Sequence, residues 1–276
     1  MTTTTDALAA VDWLGLCRRA AKGATDVLER YPLYADRAAT AGLGEGGDLT
    51  LVIDRAVEDA VFEELEALAL GVTAVSEERG EVLIAGGGPI HVVIDPIDGS
   101  RNAKRGIPCF ALSIAVASGP TMGDVELGYV HDFSHREDWW ARRGQGAFFD
   151  EEPLTPLASE GELEMVGLET VRPELILRHG EALAATGAAR LRGIGSIALS
   201  LCYVAAGRFD GMVTLGDTRS VDCAAGQLIV REAGGAVAFP EASGDPLSAP
   251  LGLEVRSRVV AGATPELMER LLPIGA

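Results

Sequence analysis

No stretch of this sequence stays apolar for the ~20 residues that a membrane span requires, although 47% of its 276 residues are hydrophobic, enough for a sizeable core. Basic residues are in short supply: 23 Lys and Arg against 41 Asp and Glu leave a net charge of -18. Such a surface repels phosphate backbones and anionic bilayers, so neither nucleic acid nor membrane is expected as a partner. An anionic substrate would then need metal ions or a few well-placed cations to hold it. The four cysteines, Cys17, Cys109, Cys202 and Cys223, form no C-x-x-C pair and sit among apolar residues. Buried free thiols in a reducing compartment are expected. The opening MTTTTDALAA has no basic region of the signal-peptide kind, and a cytoplasmic location is the expectation. No repeat, low-complexity segment or Pro- or Ser-rich linker divides the chain. Residues 1–276 are expected to form one compact unit, with halves at about 1–155 and 156–276.

What is present is organised around VVIDPIDGS, Val92 to Ser100. The apolar run His91 to Ile94 reads as a buried strand leading into Asp95 and Asp98. Two carboxylates three residues apart at a buried strand end are costly unless a cation lies between them. Pro96 fixes one torsion, and Gly99 and Ser100 allow close approach and can open a helix facing an anion. A plain hairpin turn is the competing reading, since Asp, Pro, Gly and Ser all form turns.

Around this motif the pattern predicts a helix from about Asp6 to Arg30, with Asp6 as N-cap, and a mobile loop over Ala38 to Gly47. An amphipathic helix is predicted from near Asp54, carrying Val57, Val61, Leu65 and Leu68. Strands are predicted at Val72–Ser76, Cys109–Val116, Glu126–Asp132 and Asp138–Ala141, with a turn at Gly144 and Gly146. The first half therefore reads as helices followed by a mainly antiparallel sheet. The second half alternates: strands at Met165–Leu168 and Ala189–Gly193 around a helix, a helix Ser196–Ala206, and a strand Asp210–Thr214. A helix Asp222–Ala233 closed by Gly234-Gly235, a strand Ala236–Phe239 and a last helix capped by Thr264 with Pro265 complete the chain. Strands alternating with helices indicate an α/β layered fold.

Asp48, Glu77 and Asp222 also fall at element ends. With Asp95 and Asp98 they make five carboxylates without a His or Cys cluster. Glu77-Glu78 can equally be a solvated strand end. An all-oxygen donor set suits Mg²⁺ or Mn²⁺ rather than zinc, and carboxylates around two ions ~3.5–4 Å apart are a common device for phosphoryl transfer and hydrolysis. His91, His131, His135 and His179 show no ligand spacing and are expected to be structural or exposed.

The pieces GDLTLVID, SEE, DPIDGSRN, GIPCFALSIAV, GSIALSLCYVAAGRFDG and VDCAAGQLIVREAGG occur in that order. Together they resemble the inositol monophosphatase superfamily of Mg²⁺-dependent, lithium-sensitive phosphatases, over about residues 10 to 272. IDGS-x-N, ELGYV and an Arg three residues before Asp222 look most like the branch acting on both fructose-1,6-bisphosphate and inositol-1-phosphate. The resemblance implies an αβαβα sandwich assembled as a homodimer. It implies a first Mg²⁺ at Glu77, Asp95 and the Ile97 carbonyl, a second at Asp95, Asp98 and Asp222, and a loosely held third ion. By the same resemblance, Asp48 and the Ser100 hydroxyl would activate the attacking water, and the amides of Gly99 and Ser100 would receive the phosphate. Gly195, Ser196 and Arg219 would contact the alcohol part of the substrate.

Two positions depart from the family pattern: Ala103 stands for an aromatic residue and Val221 for a Trp. Neither removes a ligand, but both bear on loop packing and substrate choice. Arg101, Lys104 and Arg105 form a basic loop beside the motif, readable as a grip on a second anionic group or as a solvated face. Histidinol phosphate and 3′-phosphoadenosine 5′-phosphate are further substrate candidates. A catalytically silent binding or regulatory protein of the same fold is the rival from another class. A Ca²⁺-storing protein is disfavoured because no EF-hand loop is present. Closure of the loop 38–47 on metal binding is also expected.

Overall fold

The computed structural model describes residues 4–44, 49–154, 161–242, 244–254 and 256–274. The chain enters through α1 (Thr4–Ala9), α2 (Trp13–Glu29) and the short α3 (Tyr34–Arg37). The first two were expected as one helix capped by Asp6. Asp12 instead caps a separate helix, its carboxylate accepting from the Gly15 amide at 3.0 Å. The expected loop over 38–47 contains a strand, β1 (Thr40–Leu43), paired antiparallel with β2 (Leu49–Leu51); residues 45–47, and with them the closure expectation, lie outside the described residues. Next come α4 (Val52–Glu66), β3 (Val72–Ser76), β4 (Gly80–Ile84), β5 (His91–Asp98), α5 (Ser100–Arg105), β6 (Ala111–Ala117), β7 (Val125–Asp132), β8 (Glu137–Arg142), β9 (Gly146–Phe149) and β10 (Glu152–Pro153). The remainder is β11 (Met165–Glu169), α6 (Pro173–Ala185), β12 (Arg190–Arg192), α7 (Ile197–Ala205), β13 (Gly211–Thr214), α8 (Ser220–Glu232), β14 (Ala236–Ala238), β15 (Val260–Gly262) and α9 (Pro265–Leu271).

Among the described residues the larger sheet has the order β10-β9-β8-β7-β6-β5-β3-β4, antiparallel except where β3 runs parallel to β5. The smaller has the order β12-β11-β13-β15-β14, with β11 parallel to both β12 and β13. β12 forms its outer edge, with Arg190, Leu191 and Arg192 all exposed.

Strand alternation explains the layering. Val92 and Ile94 of β5, and Leu112, Ile114 and Val116 of β6, join the core beneath α2 and α4. The intervening Val93, Ala111, Ala115 and Ala117 face a second core shared with α7 and α8. Alanines predominate on β6 at this second face, and α8 lies close against the sheet: a side chain at Gly128 would strike the Ala225 carbonyl. A third core, built from Val166, Leu168, Val213, Leu183 and Leu267, lies between the smaller sheet and α6 and α9. The order is helix, sheet, helix, sheet, helix: the αβαβα sandwich expected from the sequence.

Candidate active site

The site begins with the one parallel pair of the larger sheet. Because β3 and β5 run the same way, Ser76 pairs with Ile94, and the Glu77 amide donates to the Ile94 carbonyl at 3.3 Å. Glu77 thus arrives beside Asp95. Along β5 the register against β6 shifts between Asp95, opposite Ser113, and Asp98, opposite Ala111. In a regular strand residues three apart face opposite sides. The extra residue reverses that parity, so Asp95 and Asp98 turn to one point.

The third carboxylate comes from α8. Asp222 sits in its first turn, where Oδ2 accepts the Arg219 amide at 2.8 Å. Oxygens of Asp95, Asp98 and Asp222 all lie within 4.8 Å of one another, on side chains of residues only 1%, 7% and 8% exposed. Burial and mutual repulsion push the carboxyls of Asp95 and Asp98 well above the usual range, and burial also raises Asp222 against the pull of Arg219. Glu77 is raised to about 8, chiefly by burial, although Arg219 opposes the shift. Buried carboxylates crowded this closely fit a polyvalent cation, and an all-oxygen set fits a hard one.

One oxygen of Asp98 is already committed. Its Oδ2 accepts the Ser196 hydroxyl and the Ala198 amide, each at 2.6 Å, at the N-terminus of α7. The turn before α7 is held by two further residues. Glu169, at the end of β11, accepts the amides of Ile194 (3.0 Å) and Gly195 (2.9 Å) and the hydroxyl of Ser200 (2.7 Å). Asn102 Nδ2 donates to the carbonyls of Cys109 and Ile194, each at 2.7 Å, tying the loop after Gly99 to that turn. Gly99 has φ +93°, and a Cβ there would lie 2.9 Å from the Cys109 carbonyl oxygen and 3.1 Å from that of Gly195. Only glycine fits this position without displacing backbone.

The structure thus gathers Asp95, Asp98, Asp222, Glu77, Arg219, Gly99, Gly195 and Ser196 in one region. Arg219 Nη2 donates to Glu77 Oε1 at 2.5 Å and lies 3.9 Å from Asp222 Oδ1. The Ser100 hydroxyl donates to the Ile97 carbonyl at 2.9 Å. Asp48 lies outside the described residues. Beside Ser100 the structure puts a different carboxylate, Asp54: Oδ2 accepts the Leu51 amide at 3.0 Å, and Oδ1 is buried with no hydrogen-bond partner among the described residues. Burial lifts its carboxyl to about 7, although the Leu51 amide and the Ser100 hydroxyl pull it down.

Arg101 and Arg105 are exposed and Lys104 half-buried, and among the described residues none makes an ion pair with a carboxylate. Of the histidines, His131 pairs with Asp138 and His135 with Asp132, away from the cluster in the contacts they make. All four cysteines are free, as expected, but Cys109 is half-exposed rather than buried. Sequence reasoning missed Asp54, Glu169 and the clasp made by Asn102. Glu169 carried a readable signal: like Glu77, it ends a predicted strand.

The described residues contain no helix long and apolar enough to cross a membrane. The profile of the inositol monophosphatase family matches residues 13–274. The fructose-1,6-bisphosphatase/inositol-1-monophosphatase of Methanothermobacter thermautotrophicus is 33% identical over 270 residues, covering 94% of this chain and 95% of that protein. The Nus factor SuhB of Haemophilus influenzae is 33% identical over 266 residues, covering 94% and 96%. A solved inositol monophosphatase-fructose 1,6-bisphosphatase superposes with a TM-score of 0.83 at 27% identity, covering 96% of this chain and all of that one. Sequence, layering and carboxylate cluster agree: the chain belongs to the inositol monophosphatase family, and is a phosphoric monoester hydrolase.

Proposed function

We propose that this chain hydrolyses a small phosphorylated polyol or sugar, with inositol-1-phosphate and fructose-1,6-bisphosphate as leading substrates, in a Mg²⁺-dependent and lithium-sensitive reaction. The observation that carries the reading is the buried triad Asp95, Asp98 and Asp222 within 4.8 Å. Glu77, Asp95 and the Ile97 carbonyl would hold one ion and Asp95, Asp98 and Asp222 another, with Mn²⁺ as a substitute and a third ion held loosely. When bound, such ions acidify the attacking water and neutralise the departing alkoxide.

The rest is work for the chain's own groups. The amides of Gly99 and Ser100 receive the phosphate, and the Gly195–Ser196 turn and Arg219 position the alcohol part. We assign the water-orienting base to Asp54, whose carboxyl interacts with the Ser100 hydroxyl and whose Oδ1 has no hydrogen-bond partner among the described residues. The role requires hydrogen-bond reach and an accessible lone pair. Asp48 is the competing assignment. Assembly as a homodimer is part of the same reading.

Phosphate release from inositol-1-phosphate, fructose-1,6-bisphosphate, histidinol phosphate and 3′-phosphoadenosine 5′-phosphate tests this, with Mg²⁺, with EDTA, and with the variants Asp95→Asn, Asp54→Asn and Asp48→Asn. Turnover of one ester that needs the metal and is lost in Asp95→Asn is the expected result. Loss in Asp54→Asn with survival in Asp48→Asn identifies the base, and the reverse pattern returns the role to Asp48. The likeness to Nus factor SuhB supports a second reading, a binding or regulatory role. Silence on all four esters in a protein that binds Mg²⁺ would favour it.

A further inference from the structure

Arg219 is held deep among the carboxylates, with its side chain 13% exposed and Nη2 on Glu77 Oε1 at 2.5 Å. Its backbone is pinned: it precedes α8 in extended conformation, φ -93° and ψ 162°, and its amide is bound by Asp222 Oδ2 at 2.8 Å. The side chain beyond Cα has four rotatable bonds, and a cavity of about 30 Å³ opens beside it, bordered by Thr218, Arg219, Ser220, Glu241 and Arg256. With the main chain held in place, the guanidinium is the part of Arg219 that can move.

Glu77 is also one of the residues proposed to hold the first ion, and the competition between that ion and Arg219 rests on this assignment. A carboxylate oxygen accepting from a guanidinium at 2.5 Å cannot offer the same lone pair to a divalent ion. A unit positive charge beside a double one in a buried site is also strongly repelled. Two cations compete for one carboxylate. We propose that Arg219 is the resident counter-cation of the metal-free site: it holds Glu77 until a divalent ion displaces it, and the freed guanidinium then positions the alcohol part of the substrate and adds its charge to the amides that hold the anion. Arg219 is in this sense a specificity-determining residue whose availability is set by the metal.

Linkage gives this competition two consequences. The free chain binds the ion more weakly than its carboxylates alone would, because part of the binding energy goes to breaking the Arg219–Glu77 pair. An anion that holds Arg219 away from Glu77 tightens metal binding, and the metal tightens anion binding by the same factor.

Mn²⁺ titration of the whole chain, by calorimetry and by the electron paramagnetic resonance of the free ion, tests this with and without inorganic phosphate. Arg219→Gln is expected to bind Mn²⁺ about tenfold more tightly than the wild type without phosphate, and to show less of the tightening that phosphate gives the wild type. Arg219→Lys, the fallback should the glutamine variant not fold, keeps the charge on one nitrogen and is expected to fall between the two. Arg256→Gln is the control for a general field effect, since Arg256 also acts on Asp222, whereas the ion pair to Glu77 comes from Arg219. Unchanged or weaker Mn²⁺ binding by both Arg219 variants would overturn the proposal, as would equal tightening by Arg256→Gln. No phosphate release by a wild type whose Arg219→Gln variant binds Mn²⁺ more tightly would sink the phosphatase reading and leave this one standing. Turnover with unchanged Mn²⁺ affinity would do the opposite.

Discussion

The hydroxyl of Ser196 donates to Oδ2 of Asp98 at 2.6 Å while accepting the Leu199 amide at 3.2 Å. One side chain thus caps α7 and orients a carboxylate of the cluster. Ser196→Ala removes both interactions in a fully buried position and should destabilise the protein by about 2 kcal/mol. It should also lower kcat/KM by about tenfold through the misplaced Asp98. Ser196→Thr should restore most of both. Thermal melts alongside phosphate-release kinetics check this; an alanine variant that loses stability but keeps full kcat/KM would show that Asp98 needs no such help.

Gly195 carries φ +80°, and a Cβ there would lie 2.8 Å from Asn102 Nδ2. Gly195→Ala should therefore cost about 1–3 kcal/mol in backbone strain and push Asn102 off the Ile194 carbonyl. The melting temperature is expected to fall and KM to rise, because the turn that meets the substrate loosens. Asn102→Ala should reproduce the KM effect without the strain. Equal KM values in all three proteins would rule out the clasp.

Removing a charge from the cluster should stabilise the metal-free chain while destroying its chemistry. Asp95 is 1% exposed, with its carboxyl raised by burial and by Glu77, Asp98 and Asp222. In EDTA, Asp95→Asn is expected to melt several degrees above the wild type. With Mg²⁺ the order should reverse, since only the wild type gains from binding the ion. Differential scanning calorimetry in both buffers decides it, and a lower melting point for the variant in EDTA would count against the electrostatic account.

Glu169 gives the chain a pH-dependent stability with a defined sign. Burial lifts its carboxyl from 4.5 to about 7 despite three hydrogen bonds that favour the ion. A folded-state value above the unfolded one means that the folded chain holds the proton more tightly. The associated stability is present below about pH 4.5 and is lost as pH rises through about 7, on the order of 3 kcal/mol in all. Glu169→Gln should flatten this part of the stability profile between pH 5 and 8. Denaturant melts at both ends of that range measure the difference; parallel profiles for the two proteins would exclude Glu169 as the source.

How much of this could be read from the chain depends on how local the signal is. The run Val72–Ser76 and the Thr264-Pro265 cap carry their structure in neighbouring residues, and both form as expected. β4 escaped notice because Leu83, an apolar residue, is 60% exposed and blurs the alternation. β15 spans three residues and exists through its pairing with β13 and β14. Asp54 read as an ordinary acidic residue in a helical first turn, which is where such residues belong on local grounds. Its place beside Ser100 comes from how α4 docks on the sheet, and no residue near it in sequence records that. The break at Asp12 was legible in principle, since Asp before an apolar helix is a capping signal.

The edge strand β12 has a bearing on how copies of this chain behave in concentrated solution. Among the described residues its outer side pairs with no strand, and such an edge is the usual starting point for open-ended association, although Arg190 and Arg192 cover the Ala189 and Leu191 carbonyls at 2.7 and 2.9 Å. Arg190 and Arg192 flank Leu191 along that edge, and a second copy laid against it would bring guanidinium groups together. Replacing both arginines with threonine or valine would remove this repulsion, uncover the carbonyls they hold and leave a short β-prone ribbon more inclined to polymerise.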